Sequence, residues 1–337
     1  MEREVVRKNH ARVARGAFYT KTNPFTPVFI NWLVSTGCSK ALDCCAGDGA
    51  LPKLLDRDLQ WTLFDIEPKA PHIGRRDCMA DFPVGFDLCI TNPPYLSKRR
   101  AKAMRIESLE CDKNLWQAFV NLALKHCNYV AAIVPIEILR RPGIFPRLQH
   151  ILLLPPNSCD HTEQPVCLAL FDVAPQPEVK LWEGSLFLGT ANQINQHPFL
   201  REVRLPGIQF NIPNGIIGLC AADSRSGCDI KFIPGEKISQ QRVRLSSRHL
   251  TRISLPIGPL DARQMSILIG ACNEILANLR RDTHDLLLTP IHGARLDGRQ
   301  RRRLTYSLAA RIISVALRRI GFTAQDSASP AGTVPKE

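Results

Sequence analysis

Between residues 40 and 172 the chain alternates short apolar runs with stretches whose apolar positions recur every three or four residues. The runs at 40–45, 61–66, 86–91, 129–134, 150–154 and 166–172 predict strands, and a shorter one at 76–82 predicts a further strand, the third in chain order. Residues 49–55 read as the start of a helix. Residues 114–127 place Leu115, Phe119, Leu122 and His126 on one helical face. Upstream, Thr26 and Pro27 have the character of an N-cap and a first helical residue, and they direct Val28, Trp32 and Leu33 inward. Strands separated by helices predict an α/β fold, a doubly wound and mostly parallel seven-stranded sheet with helices on both faces.

After Asp172 the texture changes. The stretch VAPQPEV has the composition of a linker or long turn, and 180–255 is rich in glycine and proline, which predicts irregular, β-containing structure. Two helical patterns close the chain. The first, 261–281, aligns Met265, Leu268, Cys272, Ile275 and Leu279; the second, 301–319, aligns Leu304, Leu308, Ile312 and Val315. The tail 324–337 is small, polar and proline-containing, and is expected to be disordered. The organisation expected is therefore a domain over 1–175, a C-terminal α+β domain over 176–323, and that tail.

Composition narrows the function. Of 337 residues 45% are hydrophobic, enough for a sizeable core and too many for global disorder. Lysine and arginine total 44 against 31 acids, a net charge of +13. The surplus is uneven: residues 1–175 hold 22 basic and 18 acidic groups, and 176–337 hold 22 and 13. A basic second half points to a phosphate backbone as partner. The 12 cysteines form no CxxC pair and sit in apolar runs, which reads as buried thiols in a reducing compartment rather than a metal site. The opening segment is charged and no apolar run reaches membrane-spanning length, so a cytoplasmic protein with no membrane contact is expected.

Three features carry chemistry. In ALDCCAGDGAL, residues 41–51, an apolar strand ends at Asp43, and Gly47 and Gly49 then turn the chain into a helix. Glycine there lets backbone approach a ligand, although a plain strand–turn–helix fits as well. The second strand ends in Asp65, 22 residues after Asp43. An acid at that tip can accept both hydroxyls of a ribose, or be an ordinary loop carboxylate. Directly after the fourth strand stands Asn92-Pro93-Pro94-Tyr95. Two prolines stop the strand and stiffen the loop, so the Asn92 amide oxygen and a proline carbonyl can converge on one point with an aromatic face beside them. That arrangement suits a planar amine, whose two protons are donated to two oxygens.

Taken in this order, the glycine motif and NPPY resemble the gamma-type amino-methyltransferases that methylate adenine N6 in DNA. Gly16-Ala17-Phe18-Tyr19-Thr20 resembles their N-terminal cofactor motif, and Ala80-Asp81-Phe82 the segment that contacts the cofactor's adenine. The resemblance covers roughly residues 15–172. It implies S-adenosylmethionine as cofactor, held by Phe18, Tyr19, Thr20, Asp43, Gly47, Gly49, Asp65, Ile66, Asp81 and Phe82. It also implies a catalytic loop of Asn92, Pro93, Pro94 and Tyr95 acting on a flipped-out base in double-stranded DNA, and a cognate restriction endonuclease as an accompanying partner. Cys44 and Lys21 stand where these enzymes usually have proline, and neither change removes a polar contact. The aromatic that stacks on the base in relatives has no obvious counterpart; His161 lies in the right region. Candidate phosphate contacts are Lys98, Arg99, Arg100 and Lys102 just past NPPY, with Arg242, Arg244, Arg248, Arg299, Arg301, Arg302 and Arg303 in the second half. Methylation of adenine in RNA, methylation of a protein glutamine, and a non-catalytic nucleic-acid-binding module are the competing readings.

Overall fold

The computed structural model describes residues 16, 18–96, 114–160, 162–227, 229–245 and 249–322. The chain divides into two compact units, 1–192 and 193–337.

The first unit is built on a nine-stranded sheet. Its strands are β1 (Lys40–Asp43), β2 (Gln60–Asp65), β3 (Gly74–Arg75), β4 (Leu88–Thr91), β5 (Tyr129–Pro135), β6 (Leu148–Leu153), β7 (Val166–Phe171), β8 (Lys180–Glu183) and β9 (Leu186–Thr190). Their order across the sheet is β3-β2-β1-β4-β5-β7-β6-β8-β9. The five strands from β3 to β5 run parallel, and β7 lies antiparallel between β5 and β6. These seven strands form a doubly wound, Rossmann-like sheet. The strands β8 and β9 lengthen it by two beyond the seven expected, and so the division falls after Asn192 rather than at 175.

Helix α1 (Pro27–Thr36) begins where Thr26 Oγ1 accepts the Phe29 N–H, and it ends at Gly37, whose φ of 65° closes the last turn. Its buried residues are Phe29, Trp32 and Leu33; Phe29 takes the inward place expected of Val28. They pack on Ala41, Leu88, Ile90, Ala131 and Ile133 from one face of the sheet. The alternate residues serve the other face, where helix α3 (Leu115–His126) lies and Phe145 joins Trp116 to Phe171. Both faces being covered, β5 and β7 are buried along almost their whole length. On α3 the buried face is Leu115, Trp116, Phe119, Val120 and Ala123, with Leu122 half-buried and His126 exposed, one position off the face expected. The third strand also differs: it is Gly74–Arg75, and 76–82 is a turn. There Asp77 accepts the Met79 N–H and Arg76 pairs with Asp81, so local side-chain bonds displace the ladder.

The second unit is α+β. A four-stranded antiparallel sheet runs β10-β13-β11-β12, from β10 (Gln209–Phe210), β11 (Ile217–Cys220), β12 (Lys231–Pro234) and β13 (Leu250–Ser254). A hairpin of β14 (Thr289–Ala294) and β15 (Gln300–Arg303) is bridged to the chain just past β11, where Ala222 pairs with Arg303. Of the helices numbered in chain order after α2 (Ala50–Leu54) and α3, α4 is Ala191–Asn195, α5 Gln240–Leu245, α6 Ala262–Asp282 and α7 Tyr306–Arg319. A capping box of Asp261 and Gln264 starts α6. The last helix begins at Tyr306, capped by Thr305, and not at 301 as its periodicity suggests. Residues 300–303 are instead a strand, because Asp223 exchanges hydrogen bonds with the Arg302 backbone from 79 positions away. The tail 324–337 lies outside the described residues.

Candidate functional site

Parallel pairing brings the carboxyl ends of β1, β2 and β4 to one edge of the sheet, the place where open α/β sheets bind ligands. Asp43 ends β1 and is 1% exposed. Its Oδ1 accepts the Thr91 hydroxyl at 2.8 Å and the Cys45 N–H at 3.0 Å. Burial pushes its carboxyl up to about 7 against the opposing pull of these two donors, and the Asp65 charge pushes the same way as burial. Thr91 immediately precedes Asn92, so this bond joins the glycine turn to the NPPY loop.

The turn after Asp43 is shaped by Gly47 and Gly49, with φ of 57° and 74°. Gly47 N–H donates to Asp65 Oδ2 at 2.8 Å, and Glu67 N–H donates to Asp65 Oδ1 at 2.7 Å. The carboxylate is thus aimed by backbone, and with about four lone-pair sites it keeps capacity for two further donors. Burial raises its pKa. A methyl group on Gly47 would come within 2.6 Å of the Tyr19 ring, so the absent side chain is what seats Tyr19 over the turn. A narrow cleft opens here, lined by Phe18, Thr20, Asp43, Cys45, Asp48 and Asn92 among others. Asp48 Oδ1 is buried with no hydrogen-bond partner among the described residues. Ile66, beside Asp65, is 57% exposed. A larger hollow of about 360 Å³ lies at the opposite ends of the strands, between residues such as Lys40, Asp87 and Tyr129, and holds none of these groups.

The Asn92 carboxamide is fixed at both ends. Its Nδ2 donates to the Phe18 carbonyl at 2.8 Å and to Thr20 Oγ1 at 3.2 Å, with Cys159 Sγ at 3.8 Å. Its Oδ1 accepts the Tyr95 hydroxyl at 2.7 Å, and that hydroxyl also reaches the Ile133 carbonyl at 3.1 Å. The amide cannot be flipped, since its oxygen would then face the Phe18 carbonyl. The 16–20 segment that holds it is itself held: Gly16 O accepts the Tyr95 N–H at 2.9 Å, and Asp160 N–H donates to Tyr19 O at 2.7 Å. Burial keeps the Cys159 thiol protonated, pushed up to about 11, and holds the Tyr95 phenol well above its usual range. No described residue donates to the Pro93 carbonyl.

The structure thus gathers Phe18, Tyr19, Thr20, Asp43, Gly47, Gly49, Asp65, Ile66, Asn92 and Tyr95 around one edge. Pro93 and Pro94 follow Asn92 in the same loop. Asp81 and Phe82, the remaining expected cofactor residues, follow the third strand. Asp81 is paired with Arg76 at 2.6 Å, and Phe82 is buried against His126, ring centroids 5.0 Å apart. Thr91 and Cys159 were not anticipated; Thr91 had a signal in its place just before Asn92, and Cys159 had none.

The basic candidates are dispersed. Lys98, Arg99, Arg100, Lys102, Arg248 and His161 lie outside the described residues. Arg242 is exposed on α5, the helix that also carries Arg244, and Arg299 is exposed near the hairpin tip. Arg301 donates to the Asp223 carbonyl through Nε and Nη2 at 3.1 and 3.0 Å, and to the His292 carbonyl at 3.2 Å. Arg302 is 8% exposed. Both are therefore structural residues of the hairpin rather than part of a free basic surface, while Arg303 is half-buried. Among the described residues no group of three or more His, Cys, Asp or Glu side chains could hold a metal, and no helix is long and apolar enough to cross a membrane.

No family model matches the chain, and no curated protein does. Among solved structures it is similar to the type I restriction-modification methyltransferase subunit of Streptococcus thermophilus, with 14% identity, a TM-score of 0.39, and coverage of 50% of this chain and 48% of that one. A Listeria monocytogenes protein assigned to the class I S-adenosylmethionine-dependent methyltransferases aligns at 17% identity and a TM-score of 0.34, over 55% of this chain and 72% of that one. The M protein of the type I restriction enzyme EcoKI aligns at 13% identity and 0.33, over 43% and 44%. The match therefore spans about half the length of the S. thermophilus subunit, and these likenesses concern the fold.

Proposed function

We propose that the chain transfers a methyl group from S-adenosylmethionine to the exocyclic N6 amine of adenine in double-stranded DNA. The observation that carries this reading is the Asn92 carboxamide, immobilised by Phe18, Thr20 and Tyr95 at the end of β4, beside a glycine-turned cleft. This edge of the sheet suits the cofactor chemically. Asp65 offers acceptors for ribose hydroxyls, Ile66 an apolar lip for a purine, and the orphan Asp48 oxygen an acceptor for the ammonium of the methionine part. Bound there, S-adenosylmethionine supplies a sulfonium-activated methyl group.

The chain's own residues then act on the amine. An aniline-like nitrogen is a poor nucleophile because its lone pair is delocalised into the ring. Asn92 Oδ1, which keeps one lone pair after accepting from Tyr95, takes one amine proton as a hydrogen bond, and the Pro93 carbonyl takes the other. These bonds favour a pyramidal nitrogen and stabilise the positive charge that grows on it, an effect of fixed dipoles commonly amounting to roughly 3 kcal/mol per donor or acceptor. The proton leaves after transfer, so no strong base is required beforehand. Extruding the base from the duplex costs a few kcal/mol, and stacking on Tyr95 offsets part of it. Duplex DNA is the partner this reading implies, with a cognate restriction nuclease as the accompanying activity.

The test is tritiated methyl transfer to DNA, RNA and protein in parallel. Label in duplex DNA at adenine is expected; label confined to RNA or protein removes the DNA assignment. Asn92→Ala is expected to bind S-adenosylmethionine, by calorimetry, while losing transfer by about a hundredfold or more. Undiminished turnover in that variant would contradict the role given to Asn92.

A further inference from the structure

Arg301 and Arg302 are engaged internally. Their engagement has a structural result. Arg301 ties β15 to the Asp223 and His292 carbonyls, and the Arg302 N–H donates to Asp223 Oδ2 at 2.9 Å. Together they brace the base of the β14–β15 hairpin. The tip is braced too: Arg295 N–H donates to the Arg299 carbonyl at 2.9 Å, Leu296 N–H to the Arg225 carbonyl at 2.7 Å, and Gly298 turns the chain at φ 78°. On this rigid tip Leu296 is 84% exposed, the most exposed large apolar side chain among the described residues. Asp297 is paired with Arg295 and accepts the Arg299 N–H at 3.2 Å, and the Arg299 side chain is exposed.

We propose that this hairpin is the element with which the second unit enters the major groove of duplex DNA, Arg299 resting on phosphate and Leu296 meeting base edges. The proposal rests on the reading of the chain as a DNA methyltransferase and names the surface that would hold its substrate. The physical case is one of shape and charge. The B-form major groove is about 12 Å wide and admits a two-stranded ribbon, and an apolar side chain there finds the thymine methyl group. A cation beside it releases counterions from the backbone. A braced tip loses little conformational entropy on docking, which is what an isolated exposed leucine on a soft loop could not offer. The deep, narrow major groove of A-form RNA would not accept the ribbon.

The experiment uses the full-length protein and fluorescence anisotropy with a labelled mixed-sequence DNA duplex across a salt series. Arg299→Gln is expected to weaken binding several-fold and to lower the salt slope by about one. Leu296→Glu is expected to weaken it by about tenfold or more, through a carboxylate placed against the groove. Both variants should melt with the wild type, since neither side chain is buried. Arg263→Gln, an exposed arginine at the start of α6, is the control and should bind like the wild type. Wild-type affinity and salt slope in both hairpin variants would overturn the proposal while leaving the methyltransferase reading intact. An equal loss in Arg263→Gln would overturn it as well, by showing a general charge effect. Tighter, hairpin-dependent binding to duplex RNA would replace the occupant. A wild-type protein that fails to bind duplex DNA at low salt would instead sink the DNA reading itself.

Discussion

The carboxyl of Asp43 should make the first unit less stable as pH rises toward neutrality, and its replacement by asparagine should abolish that trend. Asp43 is 1% exposed and its pKa is raised from 3.8 to about 7, burial being the largest cause. A group whose folded-state pKa lies above its unfolded value favours the folded state below the lower value and withdraws that support as pH rises through the higher one. The window is therefore about pH 4 to 7. A shift of about three pH units corresponds to about 4 kcal/mol, on the usual 1.36 kcal/mol per unit. The Asp43→Asn side chain would keep an oxygen for the Thr91 hydroxyl and the Cys45 N–H, so the substitution removes the charge and little else. All four tryptophans, Trp32, Trp61, Trp116 and Trp182, lie in the first unit, so fluorescence reads its unfolding separately from that of the second. Urea midpoints for wild type and Asp43→Asn, taken every half unit from pH 5 to 8, should diverge, the variant gaining on the wild type as pH rises. Parallel curves across that range would show that Asp43 does not titrate there, and the argument from its burial would fail.

Four further substitutions probe the same edge. Gly16→Ala and Gly47→Ala each force a side chain into positive φ, costing about 1 kcal/mol, but they meet different neighbours. The Gly16 methyl would sit 2.8 Å from the Tyr95 backbone and should cut transfer sharply, whereas at Gly47 it meets the Tyr19 ring and should chiefly weaken cofactor binding; calorimetry and turnover separate the two. Tyr95→Phe keeps the ring but loses the hydroxyl shared by Asn92 Oδ1 and the Ile133 carbonyl, so melting should show a loss of about 1–2 kcal/mol and kcat should fall more than cofactor affinity does. Asp48→Asn should weaken S-adenosylmethionine binding about tenfold with no loss of melting temperature, because its buried oxygen has no partner to lose; unchanged affinity would remove Asp48 from the cofactor site.

The strands and helices that face a core on both sides were legible, because periodicity reports burial. β1, β2, β4, β5, β6 and β7 lie within a residue or two of the apolar runs that predict them. What periodicity misreads are segments governed by polar bonds. The turn at 76–82 is set by Asp77, Arg76 and Asp81, and a period-two or period-3.6 pattern carries no trace of that. Residues 301–303 read as helix because Leu304 continues the spacing of Leu308 and Ile312, yet Asp223 captures the Arg302 backbone and makes a strand. Arginine tracts mislead in the same way. Sequence marks where cations are, and only coordinates say that the Arg301 guanidinium is spent on carbonyls while Arg299, two residues earlier, is exposed.

The same distinction explains the site. Its components were legible as separate motifs, each short and each attached to the end of a strand. Their dependence on one another was not, because the partners of Asn92 are 74, 72 and 67 positions away at Phe18, Thr20 and Cys159. A carboxamide on a loop would ordinarily sample several rotamers, and a dipole that must reorient during reaction gives back much of the stabilisation it offers. Here the N-terminal segment takes its nitrogen and Tyr95 takes one lone pair of its oxygen, so the remaining lone pair has one direction. The segment read from sequence as a cofactor contact is, in the fold, equally the clamp on the group that would grip the substrate amine. On the proposed reading, cofactor-side and amine-side geometry are then mechanically one, joined a second time by the Thr91–Asp43 bond. Variants on either side should for that reason disturb both binding and transfer, in proportions set by which of the two bonds they break.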